Sequence, residues 1–484
     1  MHPKSIDMGL ARVTAVARTL GVDKPAYPVI TVAGTNGKGS TVVHLEGLLR
    51  AGGARTGMFT SPHFLRYNER IRVNGVEVAD EDLVAAFERI ERARGSTTLT
   101  FFEFNTLAAL VIFAEHAIEV GVLEVGLGGR LDAVNLVDAD VGVVCSVGFD
   151  HRDYLGDTID LIGAEKAGIF RAGRPAVLGT DEMPASVYAA IQSLGARPVI
   201  AGKDFSWRLE SARPARAAGH AIASAEVSAA GALPAAGALS ATAGARWSYQ
   251  GLRLSLHDLP PSALVGSIQY RNASTALAAI ESLEAGMPAI AATPGRRGLS
   301  KLVLDERTVG EALRSVRLAG RFQVVQVPVE RGQPGQTDLG LPGADRGIPG
   351  VARGPSVEWI LDIAHNEPAA AIFARHVRER PMPSGEGRTF AVVGILGDKD
   401  AKAIATSLDP LVDHWILCGL PGPRGTTAEQ LAARLSLPAS RVTLAASVES
   451  GCEAAWASAK PGDRVLVFGS VYTVGPALSW LEIY

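Results

Sequence analysis

Residues 29–41 read VITVAGTNGKGST. The apolar run Val29–Val32 has the β-branched content of a buried strand, and it runs straight into Gly34-Thr35-Asn36-Gly37-Lys38-Gly39-Ser40-Thr41. A helix pattern follows, with Val42, Leu45 and Leu49 on one face and Gly52-Gly53 as its stop. Glycines let backbone N–H groups approach an anion without Cβ clashes, and the following helix adds its positive N-terminal end. Lys38 is spaced to reach terminal phosphate oxygens and Ser40 to offer a hydroxyl to Mg²⁺. Gly39 stands between lysine and hydroxyl, so the usual phosphate-loop spelling is not matched letter for letter. The competing reading is a ligand-free glycine turn, but strand, lysine, hydroxyl and helix all occur in order.

Working outward, further apolar runs lie at Gly57–Thr60, Val120–Val125, Val141–Val147 and Ala176–Leu178. A later set lies at Trp359–Ile363, Phe390–Leu396, Trp415–Cys418 and Val465–Phe468. Apolar strands alternating with helical patterns predict α/β layers around parallel sheets buried on both faces. The pattern breaks at 208–246, rich in Ala, Gly and Ser, and at 331–356, rich in Gly and Pro; both read as surface insertions, the second flexible. Residues 286–300 read as a third loop. Near 315–322 a helix pattern ends in RLAGRF and a new set of strands begins. The expected organisation is an ATP-binding domain over 1–315, a hinge over 316–322 and a smaller α/β domain over 323–484.

Composition narrows the class. Of 484 residues 47% are hydrophobic and 20% charged, which is globular. A formal charge of -3 gives no electrostatic case for nucleic acid or an anionic membrane. Cys145, Cys418 and Cys452 lack metal-ligand spacing, so a reducing, cytoplasmic setting is expected. Lys4, Asp7 and Arg12 among apolar residues make neither a signal nor a transit sequence, and no apolar run approaches the ~20 residues of a membrane helix.

Two strand ends carry candidate chemistry. In VGVLEVGLGGRLDAVN, Glu124 sits in an apolar strand just before a glycine turn. A carboxylate there lies beside the phosphate loop of an open α/β sheet and suits a hard cation such as Mg²⁺; an ion-paired structural carboxylate is the competing reading. The same glycines fail as a dinucleotide fingerprint, because Leu131 stands at the final glycine position. In VGVVCSVGFDHRDYLG the run ends at Asp150-His151, where the histidine is either a ligand or structural. Lys166, in IGAEKAGIF, reads on its own as a solvated helix lysine.

The ordered set VAGTNGKGST, TSPHFLRYNERIRVNG, TFFEFNTLAAL, LEVGLGGRLDAVN, SVGFDHRDYLG, EKAGIF, YRNASTALAA, LAGRFQVV, LDIAHNEPAA and FGSVYTV spans about residues 5–475. It resembles the folylpolyglutamate synthase family of the Mur ligase superfamily. The resemblance implies a Mur-ligase-like phosphate-loop domain followed by a smaller Rossmann-like α/β domain. It implies that Gly34, Thr35, Asn36, Gly37, Lys38, Gly39, Ser40 and Thr41 bind the ATP phosphates, with Lys38 on the γ-phosphate. Ser40, Glu124 and His151 would hold two Mg²⁺ ions, partly through water. Lys166 would be carbamylated, an anion in place of the solvated cation, and would join Lys38 and His151 as a catalytic residue. Asn272 would meet the base, and Arg321, Asp362 and His365 would complete the ATP site. Ser61, Pro62, His63, Arg66, Arg70 and Phe102 would line the pterin side, which Asp132 would also reach. Val134, Glu367 and the Val471-Tyr472 pair depart from the family's usual residues.

The implied activity is ATP-dependent addition of L-glutamate to dihydropteroate and to tetrahydrofolates. A carboxylate is a poor acyl donor, so γ-phosphoryl transfer would first make an acyl phosphate, and the two domains are expected to close over it. A chain-extending enzyme alone, or a ligase of another amino-acid acceptor in the superfamily, are the nearest alternatives. A switch or motor NTPase explains LDIAHN less well, and a nicotinamide enzyme fails on the fingerprint. The expected species is a monomer acting on small molecules, without nucleic acid or membrane.

Overall fold

The apolar runs of the N-terminal part pair into one sheet. Its strands are β1 (Val29–Ala33), β2 (Thr56–Phe59), β3 (Ile71–Val73), β4 (Val76–Glu77), β5 (Val120–Glu124), β6 (Val141–Val144), β7 (Pro175–Leu178) and β8 (Arg197–Ile200). Their order is β4-β3-β2-β5-β1-β6-β7-β8, and all neighbours are parallel except where β3 meets β2 and β4. The computed structural model describes residues 7–210, 246–329 and 355–484. Among them, two compact units separate: residues up to His63 with Tyr67–Ala263 and Ser267–Arg317, and Leu318–Tyr484 with the short segments Phe64–Arg66 and Leu264–Gly266.

Alternation along the strands covers both faces of the first sheet. Val29, Leu123, Val144 and Leu178 share a core with Val13 of α1 (Ala11–Leu20), Leu83 of α3 (Asp80–Arg94) and Leu107 of α4 (Phe101–Glu115). Ile30, Val122, Val143 and Val177 are equally buried on the opposite side. There α2 (Lys38–Ala51) packs with α8 (Ile268–Ala291). Thr100 caps α4: its hydroxyl accepts from Glu103 N at 3.2 Å while Glu103 Oε2 accepts from Thr100 N at 2.7 Å. The remaining α-helices of the first unit are α5 (Arg152–Leu155), α6 (Ile159–Ala167), α7 (Ala185–Leu194) and α9 (Glu306–Ser315).

A small antiparallel sheet, β9 (Ser206–Leu209), β10 (Trp247–Gln250) and β11 (Ser255–Leu259), was not expected from sequence. It corrects the 208–246 insertion at both ends: Arg208 and Leu209 belong to β9, and β10 begins next to Arg246. The rest of that stretch, 211–245, lies outside the described residues. The loop expected at 286–300 is also corrected, because α8 runs on to Ala291 through Pro288. Pro288 is exposed, so the carbonyl its ring frees can be solvated.

In the second unit, β12 (Gln323–Pro328), β13 (Ser356–Asp362), β14 (Thr389–Val393), β15 (His414–Cys418), β16 (Val442–Ala445) and β17 (Arg464–Phe468) order as β12-β13-β17-β14-β15-β16. Only β12 is antiparallel. One face buries Ile360, Val393, Leu417 and Phe468 with Phe373; the other buries Trp359, Val392, Ile416 and Val467 with Leu478. The 331–356 insertion lies outside the described residues except at its end, where Ser356 opens β13.

Candidate active site

The phosphate loop bridges β1 and α2. Gly37, the residue before α2, has φ 88°, a left-handed conformation that side chains resist. A Cβ there would also stand 3.2 Å from Asn272 Oδ1 and 3.4 Å from the Cys145 Cβ. The first helical bond of the loop runs from Thr41 N to Gly37 O, 2.9 Å. The N–H groups of Lys38, Gly39 and Ser40 therefore belong to the helix start, where no preceding turn accepts them. Lys38 Nζ lies back across the loop, donating to Gly34 O at 2.9 Å and Thr35 O at 3.2 Å.

The segment leaving β6 holds this loop in shape. Thr35 N donates to Ser146 O at 2.9 Å, Asn36 N to Ser146 Oγ at 3.2 Å, and Thr35 Oγ1 to Gly148 O at 3.0 Å. Those bonds explain why β6 ends at Val144 rather than Val147: the residues beyond turn away to bind the loop. Cys145 packs beneath it, with Sγ 3.3 Å from Thr41 Oγ1, and burial pushes its thiol up to about 11, so it is packing rather than nucleophile. Sequence reasoning missed Cys145 and Ser146, whose only signal was small polar residues at a strand exit. Asn272, at the start of the second turn of α8, lies beside the loop, buried, with Nδ2 donating to Gln269 Oε1 at 3.1 Å.

Glu124 ends β5, the strand between β1 and β2. Its Oε2 accepts from the Thr60 hydroxyl and from Ser61 N at 3.2 Å, so it also fastens the turn that opens the TSPHFLRYNER motif. The Ser61-Pro62 bond is cis. His63 Nδ1 accepts from Arg70 Nε at 2.7 Å, and burial, then the Arg70 charge, lower its pKa. The Arg70 guanidinium lies 5.2 Å from the Phe101 ring centre. The Phe102 ring lies 5.7 Å from that of Phe59, tilted by 44°, and fills the place a Gly126 side chain would take. Arg66 belongs to the short segment Phe64–Arg66 of the second unit.

The turn after β5 is a packing device. A Cβ on Gly129 would stand 2.7 Å from Glu165 O, and one on Gly168 would stand 2.4 Å from Arg130 Cβ. Arg130 N donates to Glu165 O at 2.8 Å, so the turn nests directly on the C-terminal end of α6. That contact buries Lys166 and corrects its reading as a solvated lysine. Burial, then the Lys38 charge, lower its pKa to about 7, against Asp150 and Asp132, which raise it. Asp132 caps a short turn, accepting from Leu127 N at 2.8 Å and Val134 N at 3.1 Å; burial lifts its pKa to about 7 despite those bonds. His151 stands before α5 with φ 51°, its N donating to Asp150 Oδ1 at 2.9 Å. Among the described residues no three His, Cys, Asp or Glu side chains gather as a metal cluster.

In the second unit, Asp362 ends β13 and accepts from Phe322 N and Ala364 N, each at 2.8 Å. Burial raises its pKa against the Arg321 charge. Ile363 N donates to Gly320 O at 3.1 Å, and His365 Nδ1 lies 3.0 Å from Ile363 O. Thus Arg321, Asp362 and His365, separated in sequence, come from two segments that β12 and β13 pair together.

Two family models match the chain: "Mur ligase middle domain" over 32–200 and "Mur ligase, glutamate ligase domain" over 351–471. The dihydrofolate synthase/folylpolyglutamate synthase of Escherichia coli K12 is 36% identical over 100% of this chain and 93% of its own length. The chain belongs to the dihydrofolate synthase/folylpolyglutamate synthase family. Solved members of this family agree in fold. E. coli FolC in complex with DHPP and ADP is 36% identical, with TM-score 0.76 over 99% of this chain and 95% of that one. A bifunctional folylpolyglutamate synthase/dihydrofolate synthase with Mn, AMPPNP and L-glutamate bound is 34% identical, with TM-score 0.75 over 99% and 95%.

The departures from the family's usual residues are absorbed locally. Val134 is buried in the turn capped by Asp132. Glu367 opens α10 (Glu367–Glu379) ahead of Pro368, where a negative charge suits the helix N-terminus. Ser470 caps α14 (Val471–Trp480; α11 to α13 lie between at Ala401–Leu408, Ala428–Leu435 and Val448–Ser458), its Oγ accepting from Tyr472 N at 3.1 Å.

Proposed function

We propose that this chain joins L-glutamate to dihydropteroate and to tetrahydrofolates with cleavage of ATP to ADP and phosphate. The observation that carries the reading is the phosphate loop joined to a full-length likeness to dihydrofolate synthase/folylpolyglutamate synthases, one of which is known with an ATP analogue, Mn and L-glutamate bound. The acceptor's carboxylate oxygen attacks the γ-phosphorus, ADP leaves, and a mixed anhydride forms. The glutamate amine attacks the acyl carbon, and phosphate leaves with the former carboxylate oxygen. Loop N–H groups and Lys38 offset charge on the transferring group.

Ser40, Glu124 and His151 are our candidates for divalent metal ligands, one ion or two. A hydroxyl and a carboxylate, both buried, are hard oxygen donors that suit Mg²⁺, which keeps waters and phosphate oxygens in its remaining positions. Bound there, Mg²⁺ supplies charge neutralisation at the phosphates. Lys166 is the candidate carbamate: an amine with pKa about 7 is about half uncharged at neutral pH, and the uncharged form is the one that adds CO₂. Asn272, Arg321, Asp362 and His365 serve the nucleotide, while Ser61, Pro62, His63, Arg66, Arg70, Phe102 and Asp132 serve the pterin side. The unit division at 317/318 is consistent with a hinge over 316–322. No helix among the described residues is long and apolar enough to cross a membrane, and we place the protein in the cytoplasm as a monomer.

The test is turnover by the purified protein with Mg-ATP and L-glutamate, with dihydropteroate or tetrahydrofolate as acceptor, followed by mass spectrometry. A glutamate-sized gain on both acceptors is expected. A gain on tetrahydrofolate alone restricts the chain to polyglutamylation, and ATP hydrolysis without any gain removes the folate assignment.

A further inference from the structure

His44 takes no part in the chemistry above, yet it is fully buried in α2, four residues beyond Ser40. Its ring makes two bonds: Nδ1 lies 2.7 Å from Ser40 O and Nε2 lies 2.9 Å from Ser262 Oγ. A carbonyl only accepts, so Nδ1 carries the hydrogen. In the neutral ring Nε2 is then the acceptor, and the Ser262 hydroxyl donates to it.

The geometry is unusual for a core position. Helix geometry already brings the backbone N–H of His44 to Ser40 O; the ring adds a second donor from the same residue. The peptide of Ser40 is therefore held from two sides at the helix turn that offers its hydroxyl. Ser262 is anchored in turn, because the next residue, Ala263, donates its N–H to Leu313 O at 2.8 Å. Two residues beyond Ser262 the chain passes into the Leu264–Gly266 segment of the second unit. Leu45 and Leu48 fill neighbouring core positions of α2 with no polar group to satisfy. Packing alone favours such a residue, since a buried imidazole needs partners for both nitrogens.

We infer that His44 is a positioning residue: it ties the first turn of α2 to the Ser262 segment and so fixes the Ser40 hydroxyl toward the metal-bound nucleotide. The inference rests on the reading of Ser40 as a metal ligand. Binding of Mg²⁺ with AMPPNP, measured by calorimetry without turnover, tests it. His44→Leu is expected to weaken Mg·AMPPNP binding roughly tenfold, while dihydropteroate binding stays within about twofold. His44→Asn keeps a donor near Ser40 O and is expected to recover most of the loss. Ser262→Ala, which leaves the core filled, is expected to weaken binding roughly threefold and to add little to His44→Leu, as coupled residues do. Ser40→Ala separates the two readings. If it leaves the Mg²⁺ dependence of AMPPNP binding unchanged, the ligand reading of Ser40 falls, and this inference with it. If it abolishes that dependence while His44→Leu and Ser262→Ala bind as wild type, the positioning role alone falls.

Discussion

Two strands of the first sheet, neighbours in space, both end in glycine-rich turns, and the turns do opposite things. After β1, Gly37 adopts a left-handed conformation, and a Cβ there would stand 3.2–3.4 Å from Asn272 and Cys145, close enough that the neighbours would have to give by a few tenths of an ångström. What glycine provides there is backbone direction, with N–H groups left at a helix start. After β5, the missing side chains of Gly126 and Gly129 are replaced by the protein's own atoms, 2.6 Å away from Phe102 and 2.7 Å from Glu165 O. Glycine there provides contact, which seats the turn on α6 and buries Lys166. A glycine run is thus read by what occupies the place of its absent Cβ, and that is a tertiary fact.

The largest effect expected from breaking this contrast is on Lys38, the side chain of the first turn that we propose meets the γ-phosphate. Lys38→Ala should lower kcat on the order of 10²–10³-fold with little change in Tm, measured by ADP release and thermal unfolding. The next effect belongs to the lysine the second turn buries. A free lysine titrates near 10.4, whereas Lys166 in the fold titrates near 7. Between those values the unfolded chain binds a proton the folded one does not, so stability rises with pH. In CO₂-free buffer, wild type should gain on Lys166→Met from pH 7 to 9 in urea unfolding, at up to about 1.4 kcal/mol per unit.

Gly129→Ala should be a stability lesion, about 1–3 kcal/mol, because its Cβ would meet backbone that cannot yield. Gly37→Ala should be the smallest in stability, about 1 kcal/mol, and should instead weaken ATP binding several-fold. A Gly37→Ala protein that loses Tm as far as Gly129→Ala does, with nucleotide affinity intact, would erase the distinction between the turns.

The same contrast explains what was legible in the chain. VITVAGTNGKGST could be read because strand, loop lysine, hydroxyl and helix are local in sequence, and every later apolar run named as a strand is one. The small sheet of β9, β10 and β11 was hidden because its strands are only 4, 4 and 5 residues long and the first two flank the Ala-, Gly- and Ser-rich stretch. Lys166 was misread as solvated because its burial comes from a turn 35 residues earlier, through Arg130 and Glu165. His44 carried no local signal, since its partner Ser262 lies 218 residues away. Resemblance supplied what local patterns lacked for Asp362 and His365, whose carboxylate and ring are set by backbone bonds within the second unit.

Activation of the carboxylate by phosphoryl transfer leaves a trace in where its oxygens go, and isotope labelling reads it. Dihydropteroate labelled with ¹⁸O in its carboxylate is turned over with Mg-ATP and L-glutamate, and the products are weighed. One labelled oxygen is expected in the released inorganic phosphate and one in the new amide. Label in AMP, or phosphate free of label while the amide forms, would contradict it.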